Sequence, residues 1–149
     1  MAIRLDPSSE DALTKCAYFM ILAGRPEELF PLILHAAELN PNNVAWHQYW
    51  NCRANLAWGR YDEVIDSCER SASQAKYYSV HAFLAAAYAQ KGVSVKAAAA
   101  KSNALARKPE FTIAWFKASC LQSSNHKLYQ EQLDKYVVPG LRKAGFAEK

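Results

Sequence analysis

Residues 79–109, SVHAFLAAAYAQKGVSVKAAAAKSNALARKP, decide the fold. Two apolar segments are separated by Gly92 and closed by Pro109. In the first, His81, Leu84, Ala85 and Tyr88 recur at three- and four-residue spacing, the signature of one helix face. Gly92 then falls where a left-handed C-cap can turn the chain, and a second helical pattern follows it, carrying Ala97 and Ala104. The unit is therefore helix, tight turn, helix, Pro-bearing turn.

Outward from this stretch the same punctuation returns. Pro41 precedes Pro109 by 68 residues, and Pro7 precedes Pro41 by 34. Both earlier prolines close a Leu-Asx-Pro triplet, Leu5-Asp6-Pro7 and Leu39-Asn40-Pro41, and the missing beat falls at Ala75. The turn glycines Gly24, Gly59 and Gly92 lie 35 and 33 residues apart. A period near 34 residues belongs to helical repeats. It divides the chain into units of about 8–41, 42–76, 77–109 and 110–145.

In the first unit, Ser8 with Asp11 three residues on has capping-box spacing, and Leu13, Cys16, Ala17 and Met20 share one face. The second helix of that unit starts at Pro26 with Glu27 and Glu28, acids at the positive end of the helix dipole. Its inner face is Leu29, Ile33, Ala36 and Ala37, and Pro31 should kink or delay it. The second unit is ambiguous by one residue. Counted from Pro41, Trp50 fills the large apolar slot; counted from Gly59, Asn51 does. Ala17, Ala85 and Ser119 fall where paired helices come closest, so they must be small.

These residues resemble the tetratricopeptide repeat, with Trp-x2-Leu-Gly-x2-Tyr, then Ala-x3-Phe, then Pro. The third unit fits best. Lys101 stands there in place of the usual large aromatic, and the fourth unit opens with Trp115, Ala118 and Ser119. The resemblance implies an all-α chain, an α-solenoid of about four antiparallel helix pairs with an inner and an outer surface. It also implies a non-enzymatic module that binds a peptide or partner protein in a concave groove lined by the first helix of each pair. On this pattern the lining is Asp11, Thr14, Tyr18, Trp46, Tyr49, Arg53, Ala82, Ala86, Phe116 and Cys120. Trp46, Tyr49 and Arg53 are of the types that carry binding hot spots. The alternative is that Trp46 or Trp50 is a core wedge. Thr14, Tyr18, Ala82 and Ala86 stand where clamps for chaperone tails place Lys and Asn, so no such clamp is expected.

At the start, AIRLDP reads as the end of a helix whose earlier residues are absent, which suggests a piece of a longer protein; a genuine start with a frayed turn is the alternative. The open stacking face there could pair two copies as a homodimer. Towards the other end, Ser123, Ser124 and Asn125 are N-cap candidates for a last helix with Tyr129, Leu133, Tyr136 and Val137 as its buried stripe. Pro139 and Gly140 should bend or end it. The segment Leu141-Arg142-Lys143-Ala144-Gly145 is similar to the tail of tetratricopeptide regions on bacterial class III adenylate or guanylate cyclases. That similarity implies, as a second function, a C-terminal regulatory or dimerisation segment of such a cyclase or of a transcriptional regulator.

Composition bounds the rest. The 149 residues are 51% hydrophobic and 21% charged, as in globular proteins, and no apolar run reaches the length of a membrane span. MAIRLDP has no signal-peptide layout, so a cytoplasmic protein is expected. Cys16, Cys52, Cys68 and Cys120 are dispersed without metal spacing and read as free buried thiols. His35, His47, His81 and His126 are equally scattered. No phosphate loop, nucleophile elbow or metal motif is present, so neither enzyme chemistry nor a cofactor or metal is expected. Net charge is +4. The basic stretch Lys91, Lys96, Lys101, Arg107 and Lys108 reads as a solvated helix face, and nucleic acid as an unlikely partner.

Overall fold

The computed structural model describes residues 9–72 and 77–149. Leu5-Asp6-Pro7, Ser8, the chain start and Ala75 lie outside the described residues. The elements are α1 (Glu10–Leu22), a 3-10 turn (Pro26–Glu28), α2 (Leu29–Leu39), α3 (Val44–Ala57), α4 (Tyr61–Ala72), α5 (Tyr78–Gln90), α6 (Ser94–Arg107), α7 (Ile113–Ser123), α8 (Lys127–Gln132), a π-helical segment (Leu133–Val137) and α9 (Val138–Lys143). The chain is all-α: no strand occurs among the described residues. α1 packs on α2, α3 on α4 and α5 on α6, while α2 on α3 and α4 on α5 join successive pairs.

Each pair turns at a glycine in the left-handed region, with φ of 73° at Gly24, 72° at Gly59 and 77° at Gly92. A side chain would strain that conformation, which is why the glycines set the beat. The cap of α1 is Ser9, one residue beyond the expected Ser8. Its Oγ accepts from the Ala12 N–H at 3.2 Å, while Asp11 turns to Lys15 at 2.5 Å. Pro31 is the third residue of α2, which starts only after the 3-10 turn, so its missing N–H falls in the first turn, where no intrahelical acceptor exists. The expected delay is what occurs.

The Leu-Asn-Pro turn is stitched to the first helix. The Glu10 carboxylate accepts from Asn40 Nδ2 and Asn43 Nδ2, both at 2.7 Å, and lies 3.0 Å from His47 Nε2. Burial works to raise the Glu10 carboxyl pKa, but these hydrogen bonds outweigh it and hold the group below the usual value. In the second unit, α3 has 14 residues where α1 and α5 have 13. Trp50 and Cys52 are both buried and Asn51 half-buried, so the extra residue is absorbed between the two registers.

The expectation of four free thiols needs correction. Cys52 takes the small-residue slot of α3 and meets Cys68 of α4 with Cα atoms 5.2 Å apart, forming a disulfide, while Cys16 and Cys120 stay free. Two thiols face each other because the paired helices approach most closely there. No helix among the described residues is long and apolar enough to cross a membrane.

α5 is buried on every side from Val80 to Ala89, as befits a helix packed by α3, α4, α6 and α9 at once. The last helix also departs from expectation. It does not end at Pro139 but continues as helix to Lys143. The π-helical segment makes this possible: the Val138 N–H bonds back five residues to the Leu133 carbonyl, and the widened turn takes up the proline ring.

Candidate functional site

The helix of residues 127–143 lies across the C-terminal ends of α1, α3 and α5. Near its start, Gln132 Nε2 donates to the Gly24 carbonyl at 2.9 Å, and Ser124 Oγ just before it donates to the Leu22 carbonyl at 2.8 Å. Further along, the Tyr61 hydroxyl donates to the Tyr136 carbonyl at 3.0 Å. A Cβ placed on Gly24 would stand 2.5 Å from Leu128 Cβ, one on Gly59 2.5 Å from the Tyr136 ring, and one on Gly140 2.9 Å from Ala86 Cβ. Tyr129, Leu133 and Val137 are buried as expected and Tyr136 is half-buried; Leu133 and Val137 sit over Ile21, Leu56 and Ala57. The tail completes the closure. Phe146 packs on Phe111 at 5.0 Å between ring centres, and the Ala147 and Glu148 carbonyls accept from the first N–H groups of α7 at 2.9 Å. Half of the face formed by the first helices is thus covered by the chain itself.

The other half is open and aromatic. Trp46 and Tyr49 stack with ring centres 5.6 Å apart, and Tyr77, half exposed at 52%, extends the ladder 5.7 Å from Tyr49. Where the two halves meet, a cleft of about 170 Å³ runs between α3, α5, α7 and α8. It is lined by Tyr18 of α1, Tyr49 and Arg53 of α3, Tyr78, Ser79 and Phe83 of α5, and Trp115, Phe116, Ser119 and Cys120 of α7. Tyr129 of the last helix lines it as well.

Arg53 is the one charged side chain among the described residues lining this cleft. Its guanidinium lies 5.4 Å from the Tyr18 ring centre, 5.5 Å from Trp50 and 5.8 Å from Tyr49. Among the described residues no carboxylate pairs with it, and no hydrogen bond ties it down. Burial opposes its charge, but the Tyr49, Tyr129 and Tyr18 phenols and the Cys120 thiol favour it, and the balance raises its pKa. Burial pushes the Cys120 thiol up, with Tyr129 and Arg53 pulling partly back, and raises the Tyr129 phenol. Neither group is poised as a nucleophile or base near neutrality.

Of the residues named from the sequence, Tyr18, Tyr49, Arg53, Phe116 and Cys120 meet in this cleft, and Trp46 stacks beside it. Asp11 sits apart in its exposed pair with Lys15, and the Thr14 hydroxyl is turned to the Asp11 carbonyl at 3.1 Å. Ala82 and Ala86 are buried, Ala86 directly beneath Gly140. Sequence reasoning did not place Tyr78, Ser79, Phe111 or Tyr129 at the site. For Tyr129 the signal was the buried stripe, which fixes a face but not what it packs against. In the basic stretch, Lys91 pairs with Asp62 at 2.9 Å, Lys96 with Glu69 at 3.8 Å and Lys108 with Glu110 at 2.6 Å. The Tyr88 phenol, buried and donating to Glu69, is pushed up to about 12.

Compared with known proteins, the chain matches no family model, no curated protein and no solved structure.

Proposed function

We propose that the chain is a non-enzymatic, tetratricopeptide-like solenoid module that binds a partner protein through the uncovered half of its first-helix face. The observation that carries this reading is the half-buried Trp46–Tyr49 stack with the exposed Tyr77 tilted against it and the unpaired Arg53 beside Tyr49. Rigid aromatics and arginine supply large contact area at small conformational cost, which is why they dominate interface energetics. The glycine turns and the hairpin order support the repeat architecture. Lys91, Lys96 and Lys108 of the basic stretch face carboxylates, which leaves less unneutralised charge there for a phosphate backbone.

The test compares proteins captured by four versions of the chain: unaltered, Tyr49→Ala, Arg53→Ala, and Val95→Ala on the exposed outer side of α6. A partner should be retained by the unaltered chain and by Val95→Ala. Tyr49→Ala and Arg53→Ala should lose it, roughly tenfold or more in affinity, with the helical signal intact. Retention by all four versions contradicts the site; unfolding of both groove variants assigns these residues to the core instead.

A further inference from the structure

Beyond the partner-binding face, with which it shares Tyr49 and Arg53, we propose that the cleft at Arg53 is a binding site for a small aromatic monocarboxylate. The cleft holds one unpaired guanidinium in an otherwise uncharged, ring-lined space. Side chains that complete a packed core are usually paired when charged, and a planar fork without a carboxylate has its donors directed at solvent or at a ligand. Beside it, the Ser119 hydroxyl has no hydrogen-bond partner among the described residues, so a second donor faces the same space. Ser79 Oγ, 3.4 Å from the Tyr49 hydroxyl, borders it as well.

Three features select the ligand. The volume of about 170 Å³ is close to the roughly 150 Å³ apolar cavity that takes up benzene, so a single ring fits. Tyr78, Phe111 and Trp115, with ring centres 5.8–5.9 Å apart, present ring faces and edges for a ligand ring to pack on. A single guanidinium balances one negative charge. A dianionic phosphate would leave charge uncompensated, because no second cation lines the cleft among the described residues. The nearest further cation, Lys108, sits over Trp115 at 4.4 Å but is already paired with Glu110. An extended peptide has no path along the covered half, where residues 127–143 lie, so a small free acid is the occupant.

The probe is benzoate, titrated into the full chain and followed by amide and arginine Nε–H shifts in two-dimensional NMR, with benzyl alcohol and inorganic phosphate as parallel arms. Benzoate should saturate with a Kd of about 1 mM or tighter. Its shifts should centre on Arg53, Ser79, Ser119 and Cys120, and it should bind roughly tenfold more tightly than either other probe. Arg53→Met should weaken benzoate about tenfold and leave benzyl alcohol unchanged. Arg53→Lys, which keeps the charge but loses the fork, should weaken benzoate a few-fold, and it decides the matter if the methionine variant loses its helical signal. The proposal is overturned by non-saturating benzoate, by benzyl alcohol or phosphate binding as well as benzoate, or by unchanged benzoate affinity in both arginine variants.

Discussion

The two halves of the first-helix face are built from the same kind of helix and end in opposite states. At Gly24 and Gly59 the chain turns with φ near 73° and the last helix presses onto the glycine; at Gly92 the turn has φ of 77° and nothing stands within 4 Å of an added Cβ. At the Trp46, Tyr49 and Tyr77 end the helix of residues 127–143 does not reach the rings, Tyr77 stays half exposed, and a charged Arg53 is left without a counter-ion among the described residues. The glycine turns set the geometry of each hairpin, but it is the helix of residues 127–143 that decides which part of the shared surface stays uncovered.

Leu141→Ala should have the largest effect on this contrast. Leu141 is wholly buried where α9 meets α5, and its truncation should cost about 2–5 kcal/mol in urea unfolding. Tyr49→Ala in the open half should stay within about 1 kcal/mol. Equal losses would mean that the open half is core as well.

Alanine at the turn glycines sharpens the comparison. Gly92→Ala should show backbone strain alone, about 1–3 kcal/mol. Gly24→Ala should cost visibly more, because the methyl also meets Leu128 Cβ and the Tyr129 backbone nitrogen at 2.9 Å. Equal losses at the two sites would place the last helix elsewhere.

A smaller effect should appear with pH. His81 in α5 is buried with its Nε2 unsatisfied, and burial, with Arg107 adding, depresses its pKa below 6.5. The unfolded chain therefore takes up a proton that the folded chain refuses once pH falls below 6.5, and stability should decline from about pH 7 to pH 5. His81→Leu should flatten that decline in thermal melts. A separate loss, from Glu10, begins only below pH 4.5, since its lowered pKa gives stability above that value. The smallest effect is expected from the exposed Lys117–Asp134 pair between α7 and the last helix, 2.8 Å long, where Lys117→Ala should change stability by about 0.2–1 kcal/mol.

Much of the helical framework is legible in the sequence because local rules write it. The glycines at 24, 59 and 92, the face of Leu29, Ile33 and Ala36, and the stripe of Tyr129, Leu133 and Val137 follow from turn chemistry and 3.6-residue spacing. The cap at Ser9 differs from Ser8 by one residue, since adjacent serines offer the same signal and only backbone geometry chooses between them. What could not be read is where non-local partners go. The meeting of Cys52 with Cys68 depends on the rotation of two helices about each other, and the course of the last helix depends on a π segment that lets it pass Pro139. For the same reason Tyr18, Tyr49 and Arg53 could be named as lining, but Tyr78, Ser79 and Tyr129 joined them only through the packing of α5, α7 and α8.

The central claim is that residues 127–143 cover one half of the first-helix face and leave the other open. Nuclear Overhauser contacts test it most directly. The account predicts strong contacts from the Gly59 Hα protons to the Tyr136 ring and from Gly24 to Leu128, with none from residues 127–143 to the Trp46 or Tyr77 rings. Absence of the glycine contacts, with fast amide exchange along residues 127–143, would contradict it.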